Sequence, residues 1–202
     1  MRIPATSRLR APSSRLALVG LVAATILLAA CAPQATARFD PAASCNPSVR
    51  EQMSGAYPEL EARIPLEIGG EEAASRDSGR FCSADTIGSV YEAGVTEVRF
   101  GGAIWQVGRG GIQLGAFEGG GLTAELMAEE YRRAAGKDRA TEAVRPTTLE
   151  IDGRPAWRID VVNGNSRQAI VVWSAADGRV VQTVVAADID ESVLQEAIAA
   201  FR

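Results

Sequence analysis

The sequence predicts an α+β domain: a mainly antiparallel sheet, with a strand meander in its C-terminal part, packed by two or more amphipathic helices. Three observations carry that prediction. Residues 147–187 hold apolar, partly alternating segments separated by Asp152-Gly153, Asn163-Gly164-Asn165 and Ala176-Asp177-Gly178, which are turn sequences suited to joining neighbouring antiparallel strands. Residues 124–135 and 191–201 repeat apolar side chains at helical spacing, and each needs a sheet face on which to bury its stripe. Strands and helices also fail to alternate in the regular rhythm that builds a parallel sheet.

The chain begins with a segment of another kind. Arg2, Arg8, Arg10 and Arg15 precede an uninterrupted apolar stretch over residues 16–30. At 1.5 Å per residue this stretch spans roughly 22 Å, short of the ~30 Å that a membrane-crossing helix must cover. It ends in Leu28-Ala29-Ala30-Cys31, which resembles the bacterial lipobox. The resemblance implies that residues 1–30 are a signal peptide, cut just before Cys31, and that the Cys31 thiol carries a diacylglyceryl group. The new amine can be acylated as well, with palmitate the expected kind of chain. Two or three acyl chains make a stable membrane anchor where one does not. The alternatives are an ordinary signal peptide with a chance cysteine, or a short transmembrane anchor. Ala32 follows the cysteine, as in the outer-membrane sorting pattern of bacteria with two membranes. The expected location is therefore the cell envelope, on the outer face of the cell membrane or in an outer membrane. Residues 31–44 are small, polar and proline-marked, and read as a flexible tether to a single domain over residues 45–202.

Within that domain Asn46-Pro47 suggests a helix start, with one or two turns through Met53. A brief helix is expected over residues 59–63 and a short strand over 64–68, stopped by Gly69-Gly70. The charged, serine-containing segment 71–80 reads as a solvated loop. Ser83 is placed to cap a helix to Ala93 that presents Ile87, Val90 and Tyr91, although Gly88 weakens it. Strands follow at 95–100, 103–107 and 112–117, with Gly101-Gly102 and residues 108–111 as turns. Thr123 is placed to cap the 124–135 helix, whose stripe is Leu126, Met127, Glu130, Tyr131, Ala134 and Ala135. Glu129 can pair there with Arg132 or Arg133. The meander runs through 147–151, 156–162, 167–173 and 179–187. Asp188 or Asp190 then caps the closing helix with its face of Val193, Leu194, Ala197, Ile198 and Phe201.

Composition excludes more than it selects. Histidine is absent, which removes the usual general base and the commonest zinc ligand. Beyond residue 30 the chain has 17 basic and 25 acidic side chains, a formal charge of −8. Such a body is a poor partner for nucleic acid, which is held by clustered cations. No nucleic acid is expected as a partner; the membrane is, through the lipid on Cys31. Cys45 and Cys82 remain. In an oxidising exported compartment such a pair most simply forms a disulfide, against a redox-active or metal-binding alternative.

From Leu149 onward the order of elements, with Gly153-Arg154-Pro155-Ala156, Trp157, Trp173 and Asp177-Gly178-Arg179, resembles small exported domains of the PsbP/Mog1-like fold. The opening Leu60-Glu61-Ala62-Arg63-Ile64-Pro65 with Gly69-Gly70 is similar to bacterial lipoproteins of uncharacterised role. The resemblance spans roughly residues 58–202 and rests on turn and core positions. It implies accessory or binding proteins with no shared catalytic residues.

Candidate chemistry is sparse. The glycines at 108–111 and 119–121 lack phosphate-loop spacing and a following lysine, so turns explain them better. Asp188, Asp190 and Glu191 could hold calcium, but acids at a helix start also favour its dipole. Glu71-Glu72 and Glu129-Glu130 read as solvated acids. Trp105, Trp157 and Trp173 read as core, with one facing a ligand as the alternative. The expectation is a non-catalytic accessory or binding lipoprotein without a cofactor or metal, whose partner is an envelope protein or a small apolar ligand. A structural envelope component and a carboxylate-dependent envelope enzyme are the alternatives.

Overall fold

The computed structural model describes residues 39–48, 51–137 and 141–201, so Cys31 and its lipobox lie outside the described residues. The strands are β1 (Glu51–Met53), β2 (Glu67–Ile68), β3 (Glu71–Glu72), β4 (Ser75–Phe81), β5 (Val98–Val107), β6 (Gly110–Glu118), β7 (Ala143–Ile151), β8 (Arg154–Asn163), β9 (Ser166–Ser174) and β10 (Val180–Ala187). The helices are α1 (Pro58–Glu61), α2 (Ala84–Glu92), α3 (Ala124–Lys137) and α4 (Glu191–Ala200). Eight strands form one antiparallel sheet in the order β1-β4-β5-β6-β10-β9-β8-β7, and β2-β3 is a separate hairpin. The fold is α+β with an antiparallel sheet, as its residue pattern predicts.

Both faces of the sheet are covered. On one, Trp105, Leu114, Trp173 and Val184 pack against Leu60 of α1 and Leu194, Ala197 and Ile198 of α4. On the other, Phe81, Phe117, Val172 and Val181 pack against Ile87 and Val90 of α2 and Met127 and Tyr131 of α3. β10 lies at the middle of the sheet and is buried along its whole length, as a strand clad on both faces must be. Its neighbours come from separate meanders, β4-β5-β6 and β7-β8-β9-β10, and α3 makes the crossover between them.

The turns of the second meander form where expected. Asp152 and Gly153 both have positive φ (51° and 73°) between β7 and β8, the backbone of a tight two-residue hairpin. Thr123 caps α3, its Oγ1 accepting the Leu126 N–H at 3.2 Å. Glu129 pairs with Arg132.

The first half departs from expectation most in three places. Residues 51–53 form a strand instead of a helix. Asn46 Oδ1 accepts the Ser48 N–H in a local turn, and Glu51, Gln52 and Met53 then pair along β4. Residues 75–81 form an inner strand instead of a solvated loop, because their polar side chains find partners inside the fold. Ser78 Oγ accepts the Tyr57 N–H at 2.7 Å and donates to Glu61, Arg76 donates to the carbonyls of Ile64 and Pro65, and Arg80 pairs with Glu51. Gly101-Gly102 lies within β5 and makes no turn. At Gly101 a Cβ would come 2.7 Å from the Leu60 carbonyl carbon, so the glycine there admits α1.

Candidate functional site: an apolar cleft beneath α2 and α3

The face that carries α2 and α3 begins with an aromatic row. Phe81 stacks on Phe100 with ring centroids 4.6 Å apart, and Phe100 lies 6.4 Å from Phe117. α2 and α3 do not close fully over this row. Between them and the sheet a cleft is lined by Phe81, Ile87, Val98, Phe117, Met127 and Ala134, with Thr86, Val90, Glu130 and Tyr131. Its cavity volume is about 30 Å³, within a cleft of about 400 Å³ that includes open solvent. An apolar lining with few, placed polar groups is the usual make-up of a small-molecule site.

α2, which supplies Thr86, Ile87 and Val90 to the lining, is broken near its middle. Gly88 has φ 39° and ψ −113°, outside the helical region, and the helix resumes at Ser89. Its positive φ favours glycine, and a Cβ there would lie 2.6 Å from the Glu130 carboxylate and push it aside. That carboxylate accepts two hydrogen bonds from Ser89, from N–H at 2.7 Å and Oγ at 2.5 Å. Arg133 of α3 pairs with Glu92 of α2 at 3.2 Å, a second tie between the helices.

Deeper in, the Tyr131 hydroxyl lies 3.4 Å from Thr183 Oγ1 of β10. Burial pushes the Tyr131 phenol well above its ordinary pKa, because a phenolate there would lose its water. It is therefore a neutral hydrogen-bonding group at all ordinary pH values. The ten lining residues include one carboxylate, and it is already engaged by Ser89. The cleft offers apolar contact, with a neutral hydroxyl and an engaged carboxylate at the edge. It does not pair two acids for proton transfer.

The structure separates the other candidate residues. Cys45 and Cys82 form a disulfide with Cα atoms 6.2 Å apart. Asp188, Asp190 and Glu191 do not converge: Asp188 accepts from Ser166 and the Arg167 N–H, while Glu191 faces Arg158 and Gln195. Asp190 occupies the N-cap position of α4 with no side-chain capping bond. No group of three or more potential ligands suited to a metal occurs among the described residues. Trp105 and Trp173 are fully buried on the opposite face and Trp157 packs beside the second core, so none of the three lines the cleft. Gly108 has φ 60° in the β5–β6 turn and Gly121 has φ 83° ahead of α3, so both glycine runs serve the backbone.

Sequence reading passed over Glu130 as a solvated acid and Gly88 as a weak helical residue. The available signal was Glu130's place within the apolar stripe of α3, where a carboxylate needs a partner. Among the described residues no helix is long and apolar enough to cross a membrane. No protein-family model and no curated protein matches the chain.

Proposed function

We propose that this chain is an exported, lipid-anchored accessory protein of the cell envelope that binds a small apolar ligand, without catalysis, in the cleft beneath α2 and α3. The observation that carries the ligand part is the cleft itself: apolar walls, one engaged carboxylate and one neutral phenol. The anchor and the location rest on the Leu28–Cys31 lipobox resemblance, and the accessory role on the resemblance to PsbP/Mog1-like domains. A structural role would be favoured by a broad exposed apolar patch. Among the described residues the exposed large apolar side chains are Met53, Leu66 and Tyr91.

Native mass spectrometry of the protein extracted gently from its own membranes tests this. The expected mass lacks residues 1–30, includes acyl chains, and carries a further non-covalent adduct that is lost from a Met127→Trp variant with its cleft filled. A full-length chain without acyl groups overturns the anchor. A lipidated protein that is always empty overturns the ligand reading.

A further inference from the structure

Next to the cleft the sheet itself has a hollow. Asp77, Gly102, Gly115 and Thr183 stand directly opposite one another across β4, β5, β6 and β10. The two middle positions have no side chain, and the surface sinks over Gly102. Gly115 has a local reason, since a Cβ there would meet the Phe117 ring, which folds back over it. Gly102 has none. Its φ is not left-handed, and the nearest atom to an added Cβ is the Leu114 carbonyl oxygen at 3.4 Å, an ordinary contact.

Gln113 lines this hollow, which has a volume of about 10 Å³. Its side chain is 8% exposed, and its Oε1 is buried with no hydrogen-bond partner. A buried amide oxygen left without a donor is costly, and a bound donor would remove that cost. Phe117 lines both the hollow and the apolar cleft, so one aromatic ring separates them.

We propose that the hollow is the polar end of the ligand site: Gln113 Oε1 accepts a hydrogen bond from a hydroxyl or amide N–H on an uncharged, otherwise apolar molecule. The rest of that molecule lies past Phe117, beneath α2 and α3. This rests on the ligand reading above and narrows it to small neutral amphiphiles with a terminal donor. The space over Gly102 admits the donor group, and the Phe117 ring divides the polar end from the apolar one.

Two isomeric probes test it, 1-hexanol and 1-methoxypentane, which match in atoms but differ in having a donor. They are titrated by amide NMR into the chain exported with Cys31→Ser, which has no acyl chain to compete. The expected result is binding of hexanol about tenfold tighter, one hydrogen bond's worth, with shifts at the Gln113 side-chain amide, Gly102 and Met127. Gly102→Ala, which fits the backbone, and Gln113→Met should each abolish the preference for the alcohol. Equal binding of both probes, with shifts confined to Met127 and Ala134, overturns the polar subsite and leaves the apolar cleft standing. No shift at either place with either probe overturns both.

Discussion

Glu130 of α3 holds the broken end of α2: its carboxylate accepts the N–H and the Oγ of Ser89, the first residue after the Gly88 break. Removing it takes the acceptor of both bonds away. Glu130→Ala should lower stability in urea by about 1–2 kcal/mol, and Glu130→Gln, which keeps an acceptor, by less. Gly88→Ala should cost at least as much, since it adds backbone strain to a collision with the same carboxylate.

Two adjacent glycines should respond oppositely. Gly101→Ala presses a methyl group against the backbone of α1 and should lower the urea midpoint clearly. Gly102→Ala meets nothing closer than 3.4 Å. It should leave stability unchanged or raise it by roughly 0.5 kcal/mol through reduced freedom of the unfolded chain.

The Arg80–Glu51 pair is nearly closed to solvent, with side chains 3% and 10% exposed. Arg80 also donates to the Ala43 carbonyl at 2.7 Å and lies over the Phe39 ring. Arg80→Met should destabilise by about 3–5 kcal/mol, because it strands a buried carboxylate. The double variant Arg80→Met with Glu51→Leu should recover much of that loss, as read by chemical denaturation.

The Cys45–Cys82 bridge joins residues 37 positions apart. By loop-closure entropy its loss should cost about 4 kcal/mol. Cys45→Ser with Cys82→Ser should therefore shift the denaturation midpoint down sharply, and a reductant should have no further effect on that variant.

Acid should loosen the contact between α4 and β8. Arg158 donates to both oxygens of Glu191, at 2.7 and 2.9 Å, and holds that carboxyl below its ordinary value of 4.5. A depressed carboxyl stabilises the fold above its unfolded pKa, and the contribution fades as pH falls through the folded value. Glu191 is half exposed, so the effect should stay below about 1 kcal/mol. Comparing wild type with Glu191→Gln, the stability gap should narrow from pH 6 toward pH 3.

The second half of the chain was legible because local chemistry decides it. Asp152-Gly153 supplies the positive φ its hairpin needs, and residues 180–187 are apolar enough to identify a central strand. The first half is decided by distant partners. Ser78, Arg76 and Arg80 make β4 look like a loop, and only Glu61, the Ile64 carbonyl and Glu51 show why it is a strand. The cleft was hidden for the same reason. Phe117 falls in an expected strand and Met127 in an expected helix stripe, Phe81 follows the segment that reads as a loop, and the gap the three line lies beneath a helix whose break at Gly88 shows only in the structure.

The disulfide also sets how the domain bears load. A pull from the N-terminal side that has freed Phe39 and Ala43 from Arg80 meets the bridge at Cys45, which passes it to Cys82, next to the end of β4. β4 lies inside the sheet, hydrogen-bonded to β1 on one side and β5 on the other. Load that runs along β4 from Cys82 is shared by its bonds to both neighbours, whereas load entering through β1 alone would meet an edge strand of three residues.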